Sequence, residues 1–189
     1  MAKTHAAPCG FSSTMSDARK TLYIDYAKCI GCETCEAVCR FVYERPRIQM
    51  TCTAEGIAAP LYCRHCENPK CANACPRGAL TKDTEGAVIL QQLLCRGCET
   101  RNCVIACPYS AMLLTETGVA VTKCDLCITR RAVGLGPACA ETCPAEAILY
   151  VERGRLAELV TPEAAEAEKR VLAHVRPTAG PKSPRGEEA

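Results

Sequence analysis

Cys29, Cys32, Cys35 and Cys39 follow one another in the spacing C-x2-C-x2-C-x3-C. Three thiolates set so closely can wrap one face of a compact metal–sulfur cubane. The fourth, one helical turn further on, points away toward a neighbouring site. Such a motif is incomplete alone, and the sequence supplies others. Cys63, Cys66, Cys71 and Cys75 are spaced C-x2-C-x4-C-x3-C and precede Pro76. Cys95, Cys98, Cys103 and Cys107 repeat those gaps before Pro108. Cys124, Cys127, Cys139 and Cys143 have an eleven-residue interval in the middle and are followed by Pro144. Of 18 cysteines, only Cys9 and Cys52 fall outside the four quartets.

Three chemistries use cysteine at this density. Zinc sites pair two C-x2-C knuckles across a loop and have no need of a cysteine three residues beyond the third ligand. Here every quartet ends in C-x3-C, and three of the four then have Pro. This fourfold repetition favours four [4Fe–4S] clusters over zinc, with a zinc-held interaction module as the remote alternative. Disulfide scaffolds of this density are shorter and secreted.

Composition agrees with a metal-held fold. Among 189 residues there is no Trp and there are two Phe, and much of the nominal 48% hydrophobic content is Cys and Ala. Such a sequence buries little apolar area for its size. Residues 1–20 hold no apolar run and no twin-arginine pair, and no stretch of about 18 apolar residues occurs. The expectation is a cytoplasmic protein without a membrane span. The formal charge of +2 counts every cysteine as neutral. Four oxidised clusters, each about −2 with its thiolates, bring the total to about −6. Neither that balance nor the scattered Lys and Arg favours nucleic acid.

The ligand loops need short supports. The pattern predicts a flexible arm over 1–20, strands at Thr21–Asp25 and Arg47–Thr51, and a loop from Gly56 to Pro60. Hairpins are expected for Ala79–Lys82 with Ala87–Leu90, and for Met112–Thr115 with Val119–Thr122. A third is expected for Ala147–Val151 with Leu156–Val160. Thr161-Pro162-Glu163 opens a helix running to about Val175, with Ala164, Ala167, Val171 and Val175 as an apolar stripe packing on the protein's own surface. Residues 176–189 read as a disordered tail.

Cys9 and Cys52 read as free thiols. His65 reads as a packing residue before it reads as a donor to cluster sulfur, and His5 and His174 carry little information. Arg64, Arg96, Lys123, Arg130 and Arg131 adjoin ligands. Positive charge there favours a reduced cluster, although Arg130 and Arg131 can equally form a solvated face. No G-x-G-x-x-G fingerprint, P-loop or catalytic constellation is present, and no catalytic residue is expected.

The span from about Thr21 to Val151 resembles the four-cluster ferredoxin-like electron-transfer subunits of anaerobic oxidoreductases. The resemblance is carried by PLYCRHCENPKCANACPRGAL, CRGCETRNCVIACPYSAM and KCDLCITRRAVGLGPACAETCPAEAI. Such subunits accompany molybdenum or tungsten enzymes, nickel carbon monoxide dehydrogenase and hydrogenases. Arg40 departs from the pattern, standing where the other motifs have Pro. The resemblance implies an α+β fold of two interleaved bacterial-ferredoxin-like units, one formed by 21–52 plus 120–152 and the other inserted as 53–119. Residues 153–175 then form the hairpin end and helix. It also implies crossed ligation. Cys29, Cys32 and Cys35 share a cluster with Cys143, and Cys124, Cys127 and Cys139 with Cys39. Cys63, Cys66 and Cys71 share one with Cys107, and Cys95, Cys98 and Cys103 with Cys75. The implied role is non-catalytic: single electrons pass between a catalytic subunit, oxidising formate, carbon monoxide, aldehyde or hydrogen, and a further redox partner. A free-standing polyferredoxin shuttle is the alternative.

Overall fold

A computed structural model describes residues 19–53, 55–96, 98–115 and 121–175. The expected arm up to residue 18, with His5 and Cys9, lies outside the described residues. So do the turn at 116–118, the strand start at 119–120 and the tail at 176–189.

Strand β1 (Lys20–Ile24) pairs antiparallel with β8 (Ile148–Glu152), Ile24 opposite Ile148 and Lys20 opposite Glu152. This sheet brings the first cysteine motif, just after β1, beside the fourth, just before β8. Helix α1 (Thr34–Tyr43) then packs on α6 (Ala138–Glu141). Its buried residues Cys35 and Cys39 share one face at a spacing of four. The helix stops at Tyr43 because Arg45 precedes Pro46, and a residue before Pro avoids the helical region.

The middle of the chain repeats this plan. Helices α2 (Lys70–Asn73) and α4 (Asn102–Ala106) pack together, with α3 (Gln92–Cys95) between them in sequence. Three antiparallel hairpins support the loops: β2 (Gln49–Cys52) with β3 (Ala58–Leu61), β4 (Leu80–Lys82) with β5 (Val88–Leu90), and β6 (Leu113–Leu114) with β7 (Val121–Thr122). Helix α5 (Ile128–Arg131) lies in the long interval of the fourth motif. A 3-10 turn (Arg153–Arg155), α7 (Leu156–Leu159) and α8 (Pro162–Val175) complete the described residues.

Two expectations need correction. The Gly56–Pro60 loop is strand from Ala58 onward, with Pro60 opposite Met50. A two-stranded ribbon has no third strand to require the missing N–H, and the Pro60 carbonyl accepts the Tyr26 hydroxyl at 2.9 Å. The third hairpin does not form. Its first strand is β8, which pairs with β1, and Leu156–Leu159, rich in helix-forming residues, is helical.

The apolar core is divided in two, and cysteines take part in both. One cluster gathers Leu22, Ile24, Tyr62, Leu126 and Ile148 around Cys35, Cys39 and Cys139. The other gathers Leu80, Val88 and Met112 around Cys95 and Cys103. Ala59, Tyr62 and Ala87 pack in the first cluster and Val121 in the second.

Helix α8 covers the first cluster. The Thr161 hydroxyl caps it by accepting the Ala164 N–H at 3.1 Å. Ala164 and Val171 are buried, and Ala167 packs beside them. Glu168 pairs with Arg64, whose guanidinium lies 4.4 Å from the Tyr109 ring centroid and 5.5 Å from that of Tyr62. Val171 is 2% exposed. Val171→Ala removes two buried carbons, so it should cost about 2 kcal/mol, read as a lowered thermal midpoint with unchanged iron content.

Gly31 shows how tightly the loops close on the hairpins. Its φ is +69°, and a Cβ there would meet Ala58 Cβ at 2.9 Å; Gly78, at φ +59°, has nothing within 4 Å. Gly78→Ala should therefore cost about 1–2 kcal/mol of backbone strain. Gly31→Ala should cost about 1–3 kcal/mol more through overpacking. Thermal unfolding of the two variants side by side checks the difference; equal losses would mean that β3 yields freely.

Candidate iron–sulfur centres

The ligand loops share one backbone device. The residue before the second cysteine of a motif is left-handed at Gly31 (φ +69°), His65 (+46°) and Leu126 (+60°); the equivalent residue 97 lies outside the described residues. This conformation curls the loop so that successive N–H groups turn inward, a concavity suited to sulfur anions. Outside glycine it costs about 1–2 kcal/mol. His65 and Leu126 are both 0% exposed, so their packing offsets that cost.

The four quartets gather as follows. One cavity is lined by Cys29, Cys32, Cys35 and Cys143, with Met50 and Pro60 behind them. A second is lined by Cys39, Cys124, Cys127 and Cys139, and a third by Cys75, Cys95, Cys98 and Cys103. Atom-free space in the three, open solvent at their mouths included, is about 320, 370 and 390 Å³ respectively, so they are alike in size. In each, one cysteine comes from a different motif than the other three. Cys63, Cys71 and Cys107 lie within electrostatic reach of one another but line none of these cavities, and Cys66 is half-buried. An open groove of about 1100 Å³ beside Lys20, Arg131 and Tyr150 has no cysteine in its lining. Among the described residues, no three Cys, His, Asp or Glu side chains converge closely enough to hold a single ion.

The electrostatics fit the same group. Burial pushes the Cys35 thiol up to about 12 and Cys71 up to about 11, and also raises Cys124 and Cys139. Such sulfurs become thiolates only when a metal supplies positive charge. Hydrogen bonds pull the other way at Cys32, where the Thr34 hydroxyl lies 3.3 Å from Sγ, and at Cys98, through the Arg101 N–H and then Thr100. Backbone N–H groups donate to sulfur from Arg47 to Cys39 at 3.2 Å, from Ala79 to Cys75 at 3.4 Å and from Leu126 to Cys124 at 3.3 Å. Donors of this kind favour a more negative, reduced cluster. Arg101 lines the third cavity, and its buried Nε–H has no acceptor among the described residues. A sulfide-bearing group in that cavity would provide one. Cavities, donor set and orphaned N–H therefore fit [4Fe–4S] clusters.

The remaining sequence candidates separate. Cys52 is exposed on β2 and lines none of the three cavities. His65 accepts the Val88 N–H on Nδ1 at 2.9 Å. Burial first, then Lys123 and neighbouring arginines, hold its imidazole neutral. Arg96 and His174 are exposed. Arg131 is no solvated residue: its side chain is 8% exposed, donates to Asp83 at 2.7 Å and to the Leu126 carbonyl at 2.8 Å, and lies 3.6 Å from Glu85. Arg130 is tied to Glu141 and to the Gly136 carbonyl, which folds the long interval back on itself.

Sequence reasoning missed one network. The Tyr43 hydroxyl donates to Asp125 at 2.7 Å, Arg47 donates to the other Asp125 oxygen, and the Arg47 guanidinium lies 3.6 Å from the Tyr43 ring centroid. Tyr43 and Arg47 line the second cavity, so this network closes it. Tyr43 and Asp125 are 82 residues apart, and no local spacing announces them.

Known proteins are similar to this one in sequence. Residues 54–153, more than half the sequence, match the 4Fe-4S dicluster domain, and residues 22–41 match the 4Fe-4S binding domain. Electron transport protein HydN of Escherichia coli K12 is 36% identical, over 71% of this protein and 89% of that one. Thiosulfate reductase electron transfer subunit PhsB of Salmonella typhi is 37% identical over 71% and 74%. One polypeptide of the anaerobic dimethyl sulfoxide reductase of E. coli K12 is 34% identical over 67% and 70%. Among the described residues, no helix is long and apolar enough to cross a membrane. Crossed cysteine cavities and these matches agree: this protein belongs to the 4Fe-4S dicluster domain family of iron–sulfur proteins.

Proposed function

We propose that this protein is a non-catalytic electron-transfer subunit that passes single electrons through four [4Fe–4S] clusters, between a catalytic oxidoreductase subunit and a further redox partner. The observation that carries this reading is the gathering of cysteines from different motifs into separate, similar cavities. The ligand sets are Cys29, Cys32, Cys35 with Cys143; Cys124, Cys127, Cys139 with Cys39; Cys63, Cys66, Cys71 with Cys107; and Cys95, Cys98, Cys103 with Cys75. Each cluster supplies a one-electron couple whose potential its surroundings set.

Contacts between motifs support one order for the sites. Cys35 and Cys139 influence one another across the α1–α6 contact, linking the motif-one and motif-four sites. Cys63 acts on Cys124, linking motif four to motif two, and the α2–α4 contact links motif two to motif three. The route thus runs motif one, four, two, three, through two interleaved ferredoxin-like units. The relatives' names include an electron transport protein and subunits of thiosulfate and dimethyl sulfoxide reductases, which supports an oxidoreductase as the catalytic partner; the molybdenum, tungsten or nickel kind is what the family resemblance implies. Reduced thiols free to take iron suit the cytoplasm.

Anaerobically purified protein should contain four irons and four acid-labile sulfides for each cysteine quartet. Zinc without iron would overturn the reading. Cys143→Ser should alter the spectrum of the cluster held by Cys29, Cys32 and Cys35; an unchanged cluster count and spectrum would remove that pairing. From native extract the protein should copurify in fixed ratio with a catalytic subunit, whereas isolation as a lone protein would favour a free shuttle.

A further inference from the structure

Lys123 is 2% exposed. Its ammonium donates to the carbonyl oxygens of Val88 and Cys124, and no carboxylate among the described residues pairs with it. Two carbonyl dipoles do not compensate a buried cation, which needs a counter-charge. The other cations around His65 are differently placed. Arg131 has Asp83 and Glu85, Arg153 donates to the His65 carbonyl, and Lys82 reaches the Glu67 carbonyl on an exposed face. The sulfurs on which Lys123 acts belong to two of the proposed ligand sets. Its charge acts on Cys71 and Cys107 of one and on Cys124 of the other.

The position is fixed from both sides. Val88 gives its N–H to His65 Nδ1 at 2.9 Å and its carbonyl to Lys123. Strand β5 is thus held between the second motif, through His65, and the residue preceding the fourth, Lys123. The ammonium cannot follow a moving counter-ion as a surface lysine would.

We propose that Lys123 is the positioning cation of the two inner sites: a fixed positive charge, shared by the motif-two and motif-four clusters, that favours their reduced state and allows two anionic groups to stand side by side. The inference rests on the four-cluster reading above. A fixed cation stabilises whichever member of a couple carries one more negative charge, so both inner couples are raised together. The two outer couples are not.

The test uses the full-length protein with its clusters, titrated electrochemically with EPR detection as native protein, Lys123→Gln and Lys123→Arg. Gln keeps an N–H donor for the carbonyls and removes the charge. In Lys123→Gln, two of the four clusters should lose at least tenfold in their equilibrium constant for reduction, about 59 mV for a one-electron couple. The other two should stay in place, and Lys123→Arg should remain near native. Unmoved potentials in a fully loaded Lys123→Gln protein, or equal movement of all four, would overturn the proposal. Loss of inner iron in Lys123→Gln, with Lys123→Arg fully loaded, would also overturn it, since the cation would then be needed to hold clusters and not to set their potentials. A native protein lacking full iron would remove the four-cluster reading itself, an outcome separate from immobile potentials.

Discussion

The last cysteine of a motif lines a cavity that another motif builds: Cys143 with the first motif, Cys39 with the fourth and Cys75 with the third. Most of the architecture follows from this crossing. Helix α1 must carry Cys35 to one cavity and Cys39 to the next, and four residues of helix separate them by about 6 Å along the axis. Distant segments must then lie side by side, which the β1–β8 sheet and the α1–α6 contact achieve. With little apolar material available, the cysteines themselves complete both halves of the core.

Charge divides the ion pairs into two classes. Pairs such as Glu166 with Lys169 and with Arg170 lie on an exposed helix face, where each contributes about 0.2–0.5 kcal/mol. Arg47 with Asp125 and Arg131 with Asp83 are more enclosed and reach the cysteine loops directly. Arg131 also binds the Leu126 carbonyl, inside the C-x2-C turn that carries Cys124 and Cys127. The second class shapes the sites; the first does little beyond solubility.

Cysteine spacing made the quartets legible, because a ligand loop is a short-range object. The same holds for β1 and for α8, whose cap, first-turn Pro and apolar stripe all lie within one segment. What escaped depends on partners far away in sequence. Pro60 reads as a loop residue until a two-stranded ribbon removes the need for its N–H. Ile148–Glu152 reads as half of a hairpin because its true partner is at the other end of the sequence. Arg131 reads equally as a charge acting on a cluster or a solvated one until Asp83 folds over it, and Tyr43 and Arg47 give no sign of Asp125. Lys123 was legible as a cation beside a ligand, but its burial follows from β5, which sequence alone does not bring there.

The two ends of the proposed route resemble each other more than either resembles the middle. Gly31-Cys32-Glu33-Thr34 and Gly97-Cys98-Glu99-Thr100 are the same four residues, and in both a Thr hydroxyl approaches the cysteine sulfur, at 3.3 and 3.7 Å. Both thiols are pulled below their usual range. At the inner sites the glycine is replaced by the buried His65 and Leu126, and burial pushes Cys71 and Cys124 upward. The contrast is confined to these cysteines, since burial also raises Cys35 and Cys103 at the outer sites. The ends suit exchange with a partner at the surface. The middle suits a charge held away from solvent, and there the fold places an ammonium with no carboxylate of its own among the described residues.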